Sequence, residues 1–189
     1  MARQDFIGRR HSWQGITLYS VGHSTRSLEN FLGLLGAAGI RTVADIRTFP
    51  HSRRHPHFDG EALALALGAR QLRYAHVPRL GGRRRARPDS PNGAWRNESF
   101  RGYADYMLTA PFEAGLADLW ALLPCGPVAL LCAEAVPWRC HRFLVSDVLV
   151  ARGAEVRHIT GPQHCTMHRV ARFARVSGPR VSYPAPATD

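Results

Sequence analysis

Lysine is absent from this sequence of 189 residues, so all 25 side chains in the Lys and Arg class are arginines. That excludes a P-loop nucleotide site of the usual kind, whose lysine reaches the phosphates. It also excludes chemistry through an internal lysine Schiff base, including pyridoxal enzymes and lysine-dependent glycosylase-lyases. Only the α-amino group could stand in for such an amine. Long apolar runs are missing too. No stretch reaches the roughly 18 consecutive apolar residues of a membrane span, and the N-terminus lacks the apolar core of a secretory signal. A cytoplasmic chain with no membrane partner is expected. Cysteine is sparse, at positions 125, 132, 140 and 165, which is no disulfide framework, and reduced thiols are expected. Acidic side chains number only 14, leaving a net charge of +11. The plain account of arginine in lysine's place is a GC-rich genome, with selection for phosphate binding as the alternative. The excess charge itself favours a polyanionic partner such as nucleic acid.

What is present reads as one folded α/β domain. A 45% hydrophobic content beside 21% charged residues is ordinary for a globular chain, and the length suits one domain with a sizeable core. Residues 1–15 carry three arginines and no apolar periodicity, and are expected to be a flexible extension. Ile16 to Val21 alternates as a strand, then Gly22-His23-Ser24-Thr25 turns into a helix capped by Ser27 and ended by Gly39. The unit repeats: a strand over 41–46, a loop with Pro50 and Pro56, a short helix after Asp59, and a strand over 72–77. Residues 78–97 form the longest irregular segment, with arginines at 79, 83, 84, 85, 87 and 96. Such a segment is either an anion-facing flap or a solvated charge run. Helices are expected over 100–107 and 112–123, a buried strand over 128–131, a helix starting at Trp138 or Arg139, and a fifth strand over 155–159. Residues 165–176 are read as a basic helix and 177–189 as a flexible tail. Strands alternating with helices predict an open, mostly parallel sheet of about five strands, covered by helices on both faces, within a single domain of residues 16–176.

The chemistry concentrates in Pro127 to Arg142, PVALLCAEAVPWRCHR. A buried strand there delivers two thiols, a carboxylate, an imidazole and two guanidiniums to the start of a helix. Ligands of open α/β sheets bind beyond the carboxyl ends of the strands. That rule gathers His23 and Ser24 after the first strand, Asp45 and Arg47 at the second, and Gly81-Gly82 after the third, beside Cys132 and Glu134 after the fourth. Asp45, Cys132, Glu134 and His141 are the candidate catalytic groups. His23, Ser24, Arg47, Gly81, Gly82, Arg139 and Arg142 are the candidate substrate contacts.

These residues carry a resemblance. Gly22-His23-Ser24-Thr25, Asp45-Ile46-Arg47 with Pro50 and Ser52, Leu80-Gly81-Gly82, Phe100-Arg101-Gly102-Tyr103 and Cys132-Ala133-Glu134 with Cys140-His141-Arg142 make the chain similar to a family named only as domain of unknown function 488. The likeness covers roughly residues 19–159. It implies a shared site on a single α/β domain and no particular reaction.

Three chemistries fit the residues. In the first, an enzyme acts on nucleic acid, removing or repairing a modified base with water activated by Asp45 or Glu134, while arginines neutralise phosphates. In the second, Cys132 is a thiolate favoured by strand-end amides and by Arg139 or Arg142, in rhodanese-like sulfur transfer or redox work. A phosphatase loop is disfavoured, because six residues rather than five separate Cys132 from Arg139 and Glu134 lies among them. The third, a metal held by Cys132, Cys140 and His141, suffers from a non-standard spacing. Two adjacent ligands on a helix also cannot easily share one ion, so neither metal nor cofactor is expected. A non-catalytic nucleic-acid or anion binding module is the remaining alternative.

Overall fold

The computed structural model describes residues 12–186, and the strands follow the expected order. β1 (Thr17–Gly22), β2 (Thr42–Asp45), β3 (Arg73–His76), β4 (Val128–Cys132) and β5 (Glu155–Gly161) run parallel in the spatial order β3-β2-β4-β1-β5. A sixth strand, β6 (His164–Met167), adds antiparallel to β5 at the edge. The open, mostly parallel sheet of a single α/β domain is therefore observed, with one antiparallel strand beyond the expected five.

Helices cover both faces because each central strand is apolar on both sides. α1 (Leu28–Ala37) starts where the Ser27 hydroxyl accepts a hydrogen bond from the Asn30 amide at 3.2 Å. With α2 (Gly60–Gly68) it buries Phe31, Leu35, Leu63 and Leu67 against Val21, Val43, Ala129 and Leu131. α3 (Glu98–Tyr106), α4 (Ala110–Trp120) and α5 (Arg142–Ala151) pack on the opposite face, against Leu18, Ala44, Val128 and Leu130. Side chains alternate along a strand. Cys132 therefore points to the face of Val128 and Leu130, the one that carries α3 and α5.

Both ends of the expected domain need moving. Trp13 is buried, with its ring edge-on to Trp120 at 5.0 Å, so packing begins before residue 16. Residues 1–11 of the expected extension and 187–189 of the expected tail lie outside the described residues. The basic helix expected over 165–176 is replaced by β6 and by β7 (Arg175–Ser177), which pairs with β8 (Arg180–Ser182) in a hairpin. Val181 in β8 and Tyr183 just beyond it are buried. No helix among the described residues is long and apolar enough to cross a membrane.

A polar chain fastens this C-terminal part to the sheet. Asp147 on α5 accepts from His168 Nε2 at 2.7 Å, from the Tyr183 hydroxyl at 2.7 Å and from the Ala171 amide at 3.2 Å. His168 Nδ1 faces His158 Nε2 at 2.9 Å, and His158 Nδ1 faces the Ser20 hydroxyl at 2.6 Å. Since a carboxylate only accepts, His168 carries a proton on Nε2. Protons then point from Ser20 through both rings toward Asp147.

Burial, with His168 and Arg142 adding to it, pushes His158 down to about 3. Below its ordinary value of 6.5 the unfolded chain binds a proton that the folded chain refuses. Stability is therefore expected to fall as pH drops from 6.5 toward 3, by up to about 1.4 kcal/mol per pH unit from this group. Urea unfolding at a series of pH values measures the slope, and a curve flat across that window contradicts it. Tyr183→Phe, which leaves a buried carboxylate oxygen short of a donor, is expected to cost about 1–3 kcal/mol in the same assay.

Candidate active site

A pocket of about 330 Å³ opens at the carboxyl ends of β1, β2 and β4. This is the crevice the fold rule designates, where strand order switches around β1. Of the residues expected from the sequence, His23, Arg47, Gly82, Cys132, Glu134, Arg139 and His141 line it. Asp45, Ser24, Gly81 and Arg142 do not.

Each absence has a structural cause. Asp45 is fully buried, and both oxygens are engaged. Oδ1 accepts from the Arg47 amide at 3.0 Å and from Nε at 2.9 Å, and Oδ2 accepts from Nη2 at 2.5 Å and from the Tyr74 hydroxyl at 2.8 Å. The carboxylate holds Arg47 in place and has no free lone pair for a water. Arg142 is buried and faces inward. Its Nη1 donates to the carbonyls of Glu134 at 2.7 Å and Val21 at 3.3 Å, and its Nη2 donates to Ala135 at 2.8 Å. It ties the loop after β4 to the end of β1 and does not line the pocket. Ser24 acts through its backbone: its carbonyl lies 3.0 Å from His23 Nδ1. Gly81 packs on Thr48, whose hydroxyl donates to the Gly82 carbonyl at 2.8 Å. Glu134 lines the pocket from an exposed position at the rim.

The centre of the pocket is a cluster of two thiols and an imidazole. Cys132 is buried at the end of β4. After a 3-10 turn over Pro137–Arg139, Cys140 is extended and buried, and His141 occupies the position before α5. Trp138 and Arg139 thus precede the helix that was expected to begin with one of them. His141 Nε2 lies 3.0 Å from the Ile46 carbonyl, which can only accept, so Nε2 carries a proton. In the neutral ring Nδ1 is left as the base. It faces Cys132 Sγ at 3.8 Å and Cys140 Sγ at 3.7 Å. The ring of Tyr103 packs 5.0 Å from the His141 ring, while its hydroxyl donates to the Leu80 carbonyl at 2.6 Å.

The two thiols are driven in opposite directions. A hydrogen bond from Cys140, followed by the positive charges of His141 and Arg142, holds Cys132 well below the usual thiol range despite its burial. Burial and the Cys132 charge push Cys140 well above it. Ionisation is thus favoured at Cys132 and opposed at Cys140. Arg47 Nη1 sits 3.3 Å from His23 Nε2, and His23, stacked on Phe58 at 4.3 Å, is brought down to about 4 by burial with Arg47 contributing. His23 is therefore a neutral ring in the pocket wall, with its proton on Nδ1.

The three ligand atoms of Cys132, Cys140 and His141 all lie within 4.8 Å of one another and could hold a soft metal ion. The sequence argument that adjacent Cys140 and His141 cannot converge fails, because both precede the helix. Cys125 and Cys165 are exposed, and none of the four cysteines is in a disulfide.

Several lining residues are missing from the candidate catalytic and substrate-contact residues, including Thr48, Phe49, Ser99, Phe100 and Tyr103, while Cys140 entered only as a second thiol and metal ligand. The signal for Phe100 and Tyr103 lay in the Phe100-Arg101-Gly102-Tyr103 segment. Tyr103 is part of the core and also buttresses His141.

The model of the family described as Domain of unknown function DUF488 matches residues 27–149. Comparisons with curated proteins and with solved structures gave no match.

Gly82 generates a test of the cluster. A Cβ built there would lie 2.9 Å from His141 Nδ1. Gly82→Ala is expected to displace the imidazole and slow iodoacetamide alkylation of Cys132 by about tenfold, equivalent to one pH unit of thiolate stabilisation. Site-resolved mass spectrometry reads the rate, and an unchanged rate removes His141 as the group acting on Cys132.

Proposed function

We propose a thiol-dependent reaction for this chain, which belongs to the DUF488 family of domains of unknown function, with Cys132 as its nucleophile. The observation that carries this reading is the fixed orientation of His141: Nε2 donates to Ile46, and Nδ1 faces both sulfurs. A base so oriented takes the Cys132 proton, and the imidazolium formed can return it to a leaving group. Cys132 sulfur would form a bond to the electrophilic atom of the substrate as the leaving group departs with that proton. The Cys140 thiol lies within 4.8 Å of the Cys132 sulfur and faces the same imidazole nitrogen. Arg83 and Arg139, which have no carboxylate partner among the described residues, add positive charge to the pocket wall, and this supports an anionic substrate. The net charge of +11 supports a polyanion, and nucleic acid is the partner we propose.

A second reading is base removal by activated water. One observation favours it: Glu134 lines the same pocket and makes no ion pair among the described residues. Against it stands the engagement of Asp45, which leaves Glu134 to act alone.

The exposed Cys165 serves as an internal control, while Cys125 has the Arg73 guanidinium 2.8 Å from its sulfur and is set aside. At pH 6.5 Cys132 is expected to alkylate at least about tenfold faster than Cys165 despite being buried. His141→Ala should bring it to or below that rate. Alkylation of Cys132 slower than Cys165 in the wild-type chain would sink the thiol reading. In any assay that shows turnover, loss with Cys132→Ser and retention with Glu134→Gln is the expected pattern, and the reverse assigns the chemistry to the carboxylate.

A further inference from the structure

The arginine-rich segment after β3 is not a loose charge run. Gly102 on α3 lets its backbone lie directly on the helix, since a Cβ there would come within 2.5 Å of the Arg84 carbonyl oxygen. Asp105, one turn on and buried, accepts from the Arg87 amide at 2.9 Å, from the Ser90 hydroxyl at 2.6 Å and from the Asn92 amide group at 2.8 Å. A single carboxylate thus pins three points of the segment, spanning six residues.

The pinned segment and α3 enclose a groove of about 560 Å³, lined by Arg84, Arg85, Arg87 and Arg101 with Ser90 and Ser99. Arg87 pairs with Asp89 at 2.6 Å and Arg101 with Glu98 at 3.5 Å. Arg84 and Arg85 have no carboxylate partner among the described residues. Arg84 lies over the Tyr106 ring at 3.7 Å, and its Nε is buried with no acceptor. Ser99 lines both this groove and the thiol pocket, so the two adjoin. At the thiol pocket the groove gives way to aromatic surface, with Phe49 66% exposed and Phe100 half-buried.

We propose that this groove binds the phosphodiester backbone of single-stranded nucleic acid and directs one base of that strand into the Cys132 pocket. The inference deepens the thiol reading, on which it rests for the destination of the base, by naming its substrate class and the surface that recognises it. Guanidiniums without counter-ions suit phosphate oxygens. Phe49 and Phe100 offer faces on which a base can stack irrespective of its sequence. A duplex keeps its bases inside the stack and cannot reach a sulfur buried at a strand end without extruding one. A single strand meets no such cost.

The full chain is titrated into a fluorescein-labelled single strand of about twelve nucleotides, a length within the span of single-strand sites, and anisotropy is read over a salt series. The same strand in duplex form and inorganic polyphosphate of matched charge are the comparisons. The single strand should bind several-fold more tightly than either. Arg84→Gln with Arg85→Gln should weaken it several-fold and lower the salt slope by about 0.7 for each arginine lost. Because Arg84 also packs on Tyr106, the single Arg85→Glu variant is run beside it and should weaken binding in the same sense. Neither variant should alter the alkylation rate of Cys132 in the free protein, whereas bound strand should slow that alkylation in the wild type. Unchanged affinity in both variants overturns the groove, and polyphosphate binding as tightly as the strand overturns nucleic acid as its ligand. Unexceptional Cys132 reactivity with binding still lost in the variants removes the thiol reading alone and leaves the groove standing.

Discussion

A buried guanidinium without a carboxylate organises this site. Arg142 at the start of α5 is 1% exposed, and its side-chain hydrogen bonds go to the carbonyls of Val21, Glu134 and Ala135. Those carbonyls lie at the end of β1 and in the loop after β4, so one side chain determines where that loop stands against the sheet. Carbonyl dipoles solvate the charge but do not neutralise it, and an uncompensated buried charge is costly. The nearby sulfur of Cys132 can become the missing anion, and Arg142 is among the charges that favour its thiolate. Loop position and thiol ionisation are therefore coupled through one residue, which needs no contact with a substrate to matter.

The second requirement is direction. A thiol and an imidazole side by side are useful only if the ring presents an unprotonated nitrogen to the sulfur to take its proton, and a freely rotating histidine does not ensure this. Here the Ile46 carbonyl at the end of β2 fixes the proton on Nε2, and Tyr103 from α3 packs on the ring. Gly82 leaves the space the ring occupies. Three separate segments converge on one imidazole, all at the carboxyl ends of parallel strands. A mostly parallel sheet makes this convergence available, because the loops following successive parallel strands all emerge on the same edge.

Much of this was legible in the chain, and the limits are physical. The apolar run Val128 to Leu131 announced a buried strand, and period-two alternation then determined the face on which Cys132 emerges. Ser27 announced the start of α1 by a local hydrogen bond. Local signals failed wherever a distant partner decides. Nothing near Arg142 reveals that its guanidinium turns inward to carbonyls from two other segments, so it read as a substrate contact. Asp45 looked like a base because its neighbour Arg47 could equally have faced a ligand. The C-terminal segment read as a basic helix and a loose tail because its arginines and prolines offer no strand periodicity. Its order comes from Asp147 and Asn92, which bind Tyr183 from 36 and 91 residues away.

The buried aspartates show how the fold divides its labour. Asp45 is occupied by Arg47 and Tyr74, Asp105 by the arginine segment, and Asp147 by His168 and Tyr183. Each has its acceptor capacity committed to holding another part of the chain. A carboxylate in that state makes a poor general base, because accepting a proton would break the bonds that position it. With these three assigned to scaffold, proton exchange that leaves the sheet intact falls to other groups of the pocket, among them the two thiols, His141 and the rim carboxylate Glu134. Cys132 and His141 are both held from several sides and open to the pocket, which is the architectural support for the thiol reading we propose.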